Sequence, residues 1–282
     1  MSATGKNEVA VVTGAGGTLC SVIAEALAKK GMRVVLIGRT EAKLAKTADA
    51  VRAAGGTCRI ECGDVTDEAA IAGIAEKISA QWGPCRILVN GAGGNDLRAL
   101  TTTDAFDPRE IGADKPAEMR GFFDLDMGVF SSVLLNNTLG TVIPCRVFGK
   151  QMAAAGGGAI LNFASMNTFR PLSRVPAYAM SKAAIANFTQ FLAVYLAPAK
   201  IRVNAVAPGF FVNERSVRYL QTPDGGLSPR GEKVMSHTPA GRFGEAPDLL
   251  GCVEWLLDDE KAAFVTGITV PVDGGFLASS GV

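Results

Sequence analysis

The chain has 282 residues, of which 48% are apolar and 20% charged, and its formal net charge is +1. This length and composition allow one large hydrophobic core, which predicts a single globular domain. The nearly balanced, mixed charges exclude a broad basic face for nucleic acid or a polybasic membrane patch, so the expected partner is a small molecule.

The N-terminus and the cysteines indicate the cellular compartment of the protein. The first residues, MSATGKNEVAVVTG, lack the charged segment and long apolar segment of a secretion signal. Six cysteines are scattered without a CxxC pair, which is typical of reduced thiols in the cytoplasm. His237 is the only histidine, so a His-rich zinc site is not expected and a His-based catalytic triad would have to use this residue. We expect a cytoplasmic protein without a bound metal.

Seven short segments rich in β-branched residues are predicted to be strands: residues 9–12, 33–37, 57–61, 86–90, 159–163, 201–207 and 267–272. Their nearly continuous apolar character is typical of strands covered on both faces. Helical patterns lie between them. This alternation predicts an α/β fold, with one domain over residues 1–282 built as a Rossmann-type doubly wound sheet of about seven parallel strands flanked by helices. Ligands of such sheets bind at the carboxyl ends of the strands.

Two stretches interrupt this alternation. Residues 94–126 are rich in charged side chains without clear periodicity, and residues 209–242 combine Gly, Pro and Asn with few apolar residues. Long loops in a compact domain often form substrate walls or lids. We predict this role for both loops, with solvated surface insertions as the alternative.

A glycine-rich turn follows the first predicted strand. Gly14, Gly16 and Gly17 precede the first helix, which Thr18 and Leu19 open. Backbone N–H groups in such a turn and at a helix N-terminus can hold a pyrophosphate, because glycine lets the chain approach closely. The pattern predicts a bound dinucleotide; a glycine-rich turn without a ligand is the alternative.

The ends of the next strands carry further candidates for dinucleotide binding. The second strand ends at Gly38, where an acidic side chain would ordinarily hold the ribose of NAD, and Arg39 can instead pair with a 2′-phosphate. We therefore expect NADP(H) to be preferred, with NAD(H) possible; an exposed arginine in a turn is the alternative. After the third and fourth strands we expect cofactor contacts from Asp64, Val65, Asn90, Gly91 and Ala92.

The stretch SMNTFRPLSRVPAYAMSK contains three candidate catalytic residues. Tyr178 and Lys182 are four residues apart and share one face if this segment is helical. The ammonium would favour the phenolate and lower the pKa of Tyr178 toward neutrality. Ser165 ends the fifth strand, and its hydroxyl could orient the same carbonyl oxygen. The alternative is a chance Tyr-x-x-x-Lys pair on an ordinary helix.

With these motifs the chain resembles the short-chain dehydrogenase/reductase family over essentially all its length. The resemblance implies an active tetrad in which Asn137, from LNNTLGT, joins Ser165, Tyr178 and Lys182 and positions a water that links Lys182 to solvent. It implies that Tyr178 and Lys182 also contact the cofactor, and that the block VAPGFFVN supplies further contacts from Pro208, Gly209 and Phe211. It also implies a homo-oligomer, a tetramer or dimer, formed through the helices around 130–153 and 176–197.

The glycine turn departs from the family pattern TGxxxGxG. Thr18 and Cys20 stand where the second and third glycines usually do. Gly16 and Gly17 are expected to supply the flexibility instead.

Several blocks, among them GAGGND, APGFFVNE and TPAGRFGE, are similar to D-mannonate oxidoreductases within this family, which interconvert D-mannonate and D-fructuronate. A sugar acid needs a cation for its carboxylate and polar groups for its hydroxyls. The candidates for substrate binding are Asn95, Asn167, Arg170 and Arg174, with His237 also within possible reach.

Three alternatives remain open at this point. The chain could be a same-family dehydrogenase for another polyol, sugar acid or oxoacyl substrate. It could be a non-enzymatic sensor or scaffold that binds NADP(H). A hydrolase with Ser165 as nucleophile lacks an evident His and acid partner in the sequence.

Overall fold

The computed structural model describes residues 6–213 and 216–279. Its centre is one sheet of seven parallel strands in the order β3-β2-β1-β4-β5-β6-β7. The strands are β1 (Val9–Thr13), β2 (Arg33–Gly38), β3 (Thr57–Cys62), β4 (Cys85–Asn90), β5 (Gly158–Phe163), β6 (Ile201–Pro208) and β7 (Thr269–Val272). The predicted single-domain, doubly wound α/β fold is confirmed.

Helices cover both faces of this sheet. They are α1 (Thr18–Lys29), α2 (Glu41–Ala53), α3 (Glu68–Trp82), α4 (Met127–Ala154), α5 (Pro176–Leu196), α6 (Val217–Leu220), α7 (Pro229–Ser236) and α8 (Leu250–Leu257). Helices α1, α2 and α8 share one hydrophobic core with the strands, and α3, α4 and α5 share the other. None of the described helices combines the length and apolar character needed to span a bilayer.

Coverage of the strands differs between the centre and the edges of the sheet. Every residue of β1 and β5 is buried, as the apolar pattern predicts. The expectation that both faces of every strand are covered is wrong for the edge strands, because β3 exposes Thr57 and Cys62 and β7 exposes Pro271. An edge strand lacks a neighbour on one side, and the helical layers cover mainly the middle of the sheet.

The strand order reverses between β1 and β4. The chain runs outward from β1 to β3, then crosses to β4 and continues outward to β7. Connections from the carboxyl ends of β1 and β4 therefore leave in opposite directions and open a crevice, which is where ligands of such sheets bind.

The two predicted loops follow β4 and β6. Residues 94–126 contain only short 3₁₀ turns, at Leu97–Ala99, Pro108–Ile111 and Phe122–Asp124. The second loop, residues 209–242, includes the short helices α6 and α7. The absence of long regular elements agrees with the sequence, and the substrate role of both loops stays a prediction.

Candidate active site

The glycine turn forms a tight passage between β1 and α1. Gly14 has a φ of 65°, and a Cβ atom there would lie 2.7 Å from the carbonyl oxygen of Gly91. Gly17 precedes α1, and no side chain caps the first N–H groups of this helix. Free N–H groups beside a side-chain-free turn suit a diphosphate, so Gly14, Gly16, Gly17, Thr18 and Leu19 are placed to hold a dinucleotide as the sequence predicts.

Thr13 joins this turn to the end of β4, a role that the sequence reasoning missed. Its buried Oγ1 accepts hydrogen bonds from the N–H groups of Gly91 and Ala92, both at 3.2 Å. The sequence feature that could have indicated this role is the position of Thr13, directly before Gly14 at the end of a buried strand. Thr13 therefore ties together the two strand ends between which the crevice opens.

Cys20 explains how the turn tolerates its departure from the glycine pattern. Its side chain is buried against Gly91, where a Cβ atom would lie only 2.0 Å from the Cys20 Sγ. Burial raises the pKa of the Cys20 thiol to about 12, so it stays protonated at neutral pH. The space released by the missing side chain of Gly91 is thus filled by the thiol of Cys20.

This packing predicts that Gly91→Ala lowers the melting temperature and weakens NADH binding, because overpacking a tight site costs about 1–3 kcal/mol. Cys20→Gly in the same chain should restore most of both properties, since the remaining contact of the new Cβ, with the Thr13 carbonyl, is 3.2 Å. Thermal unfolding and fluorescence titration with NADH measure the two effects. Gly73→Ala, where a Cβ meets nothing within 4 Å, is the control. A double variant as impaired as Gly91→Ala would contradict this account.

Arg39 and Asp64 face each other at the ends of β2 and β3. The Arg39 side chain is 72% exposed, and its Nη1 lies 3.7 Å from the Asp64 Oδ2. Thr66 donates to the Asp64 carboxylate from its backbone N (2.9 Å) and its Oγ1 (2.7 Å), which holds the pKa of Asp64 below its usual value. An exposed ion pair this long is weak, so the guanidinium remains available to an anion.

Two predicted cofactor contacts do not face the crevice with their side chains. Asn90 is 1% exposed, and its Nδ2 donates to the Asn162 Oδ1 at 2.9 Å, beneath the helical layer. Val65 is buried and would contact a Cβ placed on Gly140 of α4. The predicted cofactor contacts of Asn90 and Val65 stay predictions and would come from their backbone groups. Successive strand residues point to opposite faces, and the preceding sequence did not reveal which face Asn90 takes.

The nicotinamide end of the predicted site lies after β6. A Cβ on Gly209 would lie 2.7 Å from the Asp273 Cα, and the Gly209 N–H donates to the Val272 carbonyl at 2.9 Å. Pro208 ends β6 at this edge, as predicted. Phe211 differs, because its ring is buried against Gly244, so only its backbone can reach a ligand.

Asn137 fastens the loop after β4 to α4. Its Nδ2 donates to the carbonyls of Gly94 and Val133, both at 2.8 Å, and its Oδ1 accepts from the Gly94 N–H at 3.1 Å. A Cβ on Gly93 would lie 2.4 Å from this Oδ1. The side chain of Asn137 is engaged by backbone groups, and its own carbonyl accepts from the Thr141 Oγ1 at 3.0 Å. The water that the family resemblance implies stays a prediction.

Ser165, Tyr178 and Lys182 come together at the carboxyl edge of β5. Helix α5 begins at Pro176, a residue suited to the first helical position, so Tyr178 and Lys182 lie one turn apart. The Ser165 hydroxyl is near enough to the Tyr178 hydroxyl to oppose the rise of the Tyr178 pKa. The Lys182 Nζ donates to the Phe163 carbonyl at 2.7 Å and lies 5.5 Å from the centre of the Tyr178 ring. The predicted side-chain group therefore exists.

The electrostatics of this group differ from the expectation. Burial raises the pKa of Tyr178, and the hydrogen bond with Ser165 only partly offsets it. Burial also lowers the pKa of Lys182 to about 8. The predicted lowering of the Tyr178 pKa is wrong for the protein chain itself, because the ammonium lies over the ring face and is itself destabilised by loss of solvent.

Asn167, whose predicted contact with the substrate stays a prediction, is bonded to Ser165. It is buried, and both its backbone N (3.2 Å) and its Nδ2 (3.3 Å) donate to the Ser165 Oγ. Its Oδ1 accepts from the Leu172 N–H at 2.9 Å. Because Asn167 supplies donors to the Ser165 oxygen, the Ser165 proton is directed away from it. Asn167 is therefore a positioning residue for Ser165 rather than an evident substrate ligand.

The other predicted substrate residues lie in separate directions. Asn95 is exposed after β4, and Arg170 is exposed and donates to the Ser279 carbonyl at 3.4 Å. Arg174 has a φ of 72°, and its Nε lies 2.6 Å from the Asp104 Oδ1. His237 is bonded through its Nδ1 to the Lys233 carbonyl at 2.8 Å, at the end of α7.

A cavity of about 440 Å³ lies at the opposite, amino ends of the strands. Two arginines line it, and both are already neutralised or bonded. Arg33 donates to the carbonyls of Asn7 and Trp82, and Arg86 pairs with Asp259. The carboxyl-end crevice, with its uncapped helix and grouped hydroxyls, remains the candidate active site.

A parallel sheet with a glycine turn at its switch point, and with a serine, a tyrosine and a lysine grouped at the same edge, is typical of oxidoreductases that use a nicotinamide dinucleotide. A model of the short chain dehydrogenase family matches residues 8–222. The chain belongs to this family, as the motifs predict, and is an oxidoreductase of the alcohol–ketone type.

Individual relatives are similar over nearly the whole chain. The uncharacterized oxidoreductase UxuB of Bacillus subtilis is 42% identical over 275 residues, which cover 98% of this chain and 96% of that protein. A candidate D-mannonate oxidoreductase from Haemophilus influenzae, solved with bound NAD, is 40% identical with a TM-score of 0.92, and 98% of this chain matches 97% of that one. A gluconate 5-dehydrogenase from Burkholderia cenocepacia, in complex with NADP and tartrate, is 26% identical with a TM-score of 0.80, covering 97% and 96% of the chains.

Proposed function

We propose that this protein interconverts D-mannonate and D-fructuronate by hydride transfer, with NADP(H) preferred over NAD(H). The observation that carries the proposal is the grouping of Ser165, Tyr178 and Lys182 after β5, where the Lys182 Nζ lies 5.5 Å from the centre of the Tyr178 ring, at the edge where the glycine turn opens. Blocks of sequence similar to D-mannonate oxidoreductases support the substrate. The Haemophilus influenzae structure and the gluconate 5-dehydrogenase support a sugar acid as the substrate class.

In this proposal the chain's own residues handle the proton. A bound dinucleotide supplies or accepts the hydride at the substrate carbon. In the reducing direction the Tyr178 hydroxyl donates its proton to the carbonyl oxygen. Ser165 donates a hydrogen bond to the same oxygen, because Asn167 already provides donors to the Ser165 Oγ. The charge of Lys182 stabilises the phenolate that remains, which offsets the cost that burial places on it.

In this proposal the glycine turn and the ends of the strands hold the dinucleotide. Gly14, Gly16 and Gly17 leave room for the diphosphate, and the N–H groups of Thr18 and Leu19 face it. Asp64 and Arg39 would hold the adenosine end, and Pro208 and Gly209 the nicotinamide end. Asn90, Val65 and Phe211 act through backbone groups or through the packing that shapes these contacts.

The direct test adds D-fructuronate with NADPH or NADH to the purified protein and follows the absorbance of the reduced nicotinamide. Oxidation of the nicotinamide supports the proposal. Activity with polyols or oxoacyl compounds but not with D-fructuronate would assign another substrate within the family. Tight dinucleotide binding without turnover on any carbonyl compound would favour the sensor or scaffold. The hydrolase alternative is weakened, because His237 bonds Lys233 and Ser236, whereas the Ser165 Oγ bonds Asn167.

Arg39→Ala should weaken NADPH binding by about 10- to 100-fold and NADH binding by little. A charge-assisted hydrogen bond to a phosphate is lost only with NADPH. Equilibrium titration of each reduced dinucleotide measures the two affinities. The control is Arg52→Ala, an exposed arginine of α2 whose ion pair is with Asp49. Equal weakening of both dinucleotides by Arg39→Ala would argue against contact with a 2′-phosphate.

The expected homo-oligomer also stays a prediction. Apolar side chains remain exposed on the two helices predicted to form the contact: Leu135, Leu139, Met180, Phe191, Val194 and Tyr195.

A further inference from the structure

Three cationic side chains gather around one carboxylate beside the candidate active site. The Arg174 Nε lies 2.6 Å from the Asp104 Oδ1, and the Lys233 Nζ lies 3.7 Å from the Asp104 Oδ2. Arg230 lies three residues before Lys233 on α7, so the two share one side of the helix, and it interacts electrostatically with Arg174 and Asp104. We call Asp104, Arg174, Arg230 and Lys233 the Asp104 cluster. One carboxylate cannot neutralise three cations, so the cluster has a net positive charge.

Arg230 is the member of the cluster without a direct partner. Among residues 6–213 and 216–279 it makes no hydrogen bond and no ion pair, although it is half-buried. Burial lowers its pKa, and the neighbouring Arg174 lowers it further. Holding a partly desolvated guanidinium beside a second one is unfavourable unless an anion joins them. The Asp104 cluster therefore carries an excess of two positive charges.

The position of Arg230 is well supported by packing. It lies on α7, and the next residue, Gly231, allows α7 to touch α6: a Cβ on Gly231 would lie 2.0 Å from the Leu220 carbonyl oxygen. Ser228 caps α7 by accepting from the Gly231 N–H at 3.0 Å. Because packing and the cap hold this turn of α7 in place, the backbone that carries the Arg230 cation is preorganised. This reduces the entropic cost of binding a ligand.

The Asp104 cluster is linked to the catalytic side chains by a short stretch of backbone. Arg174 precedes Tyr178 by four residues, and its carbonyl accepts from the Thr101 N–H at 3.2 Å. The Tyr178 ring packs against the hydrophobic group that includes Ala99. Residues 94–126, the segment before α5 and helix α7 thus meet at Asp104, and the first two of these segments also lead to Tyr178.

We propose that Arg230, together with Arg174 and Lys233, binds the carboxylate of the substrate while the carbonyl to be reduced lies at Tyr178. This assignment rests on the proposed function and names the part of the site that selects an anionic substrate. Asp104 holds Arg174 in place and limits the excess charge. A guanidinium offers two parallel N–H donors to a carboxylate, a geometry that the hydroxymethyl group of a neutral sugar cannot use.

The test compares two ketones that differ at one end. D-fructuronate carries a carboxylate where D-fructose carries a hydroxymethyl group. Arg230→Gln should raise the KM for D-fructuronate by about 10- to 100-fold, with a much smaller change in kcat, because it removes a charge-assisted bond made in the ground state and the transition state alike. The kcat/KM for D-fructose should stay nearly unchanged. Arg230→Lys should recover part of the loss, since it restores the charge without the two-donor geometry.

Arg146→Gln is the matched control, because Arg146 is an exposed arginine of α4 paired with Glu68. It removes the same charge and should leave the KM for both ketones unchanged. NADPH affinity and melting temperature confirm that each variant is folded. A KM for D-fructuronate that Arg230→Gln leaves within twofold, or an equal loss for D-fructose, would overturn the assignment.

Failure of the proposed function has a different signature. If the native protein does not turn over D-fructuronate, binding of D-mannonate to the protein saturated with NADP⁺ is measured by calorimetry. Binding that Arg230→Gln abolishes and Arg146→Gln preserves would keep the carboxylate site and discard the redox assignment. No binding to the native protein, or equal binding to both variants, would overturn the carboxylate site.

Discussion

Tyr178→Phe should fold and bind NADPH normally yet turn over substrate about 10²- to 10⁴-fold more slowly, the usual contribution of a positioned acid or base. The substitution keeps the ring, which packs against Ala99, Leu125 and Phe130. It removes only the hydroxyl, so the cost in stability should be no more than about 1 kcal/mol. The effect therefore separates catalysis from folding.

Steady-state kinetics, dinucleotide titration and thermal unfolding measure the three quantities. Tyr195→Phe is the matched control on the same helix, because the Tyr195 side chain is 70% exposed and stacks on Phe191. It should change none of them appreciably. If Tyr178→Phe retains turnover within a few-fold of the native protein, the tyrosine is not the proton donor.

Lys182→Met should also reduce turnover strongly, by about 10²-fold or more, because a buried phenolate would then form without a neighbouring cation. The variant loses the bond from the Lys182 Nζ to the Phe163 carbonyl and the ammonium over the Tyr178 ring. Lys150→Met, at an exposed position of α4, is the control and should be active.

Lys182→Met should also change how the free energy of unfolding depends on pH, an effect that can be measured without any activity. The pKa of Lys182 is lowered from 10.5 to about 8, so between these values the folded protein binds fewer protons than the unfolded chain. The contribution of Lys182 to the free energy of unfolding therefore rises as the pH rises from about 8 to about 10.5, and is least favourable below pH 8.

Denaturant unfolding at several pH values, without substrate, gives the difference between the native protein and Lys182→Met. The native protein should gain stability relative to the variant across this alkaline range. Using the difference removes the opposing contribution of Tyr178, whose raised pKa acts in the reverse direction. Parallel curves for the two proteins would show that the lysine titrates normally.

The buried pair has a consequence for the reaction. Loss of solvent raises the pKa of Tyr178 and lowers that of Lys182 to about 8, so at neutral pH the phenol is neutral and the lysine is still mostly an ammonium. A proton that leaves Tyr178 creates a charge that Lys182 can balance, and the two charges then stabilise each other at low dielectric. The site thus favours a coupled proton transfer over a permanently ionised tyrosine.

Features that depend on neighbours along the chain were predictable from the sequence. Seven β-branched segments separated by helical patterns gave the doubly wound sheet, because strand and helix periodicity are local properties. The turn at Gly14 and the spacing of Tyr178 and Lys182 are local as well. A helix begun by Pro176 necessarily places residues four apart on one face.

Only the tertiary structure decided which way the side chains point and what surrounds them. The Asn90 side chain turns beneath helix α4, and Asn167 donates to the Ser165 Oγ. Burial, which no spacing reveals, reversed the expected shift in the Tyr178 pKa. Arg230 became a candidate only when folding brought α7 beside Arg174, because electrostatic interactions depend on distance in space and not on separation along the chain.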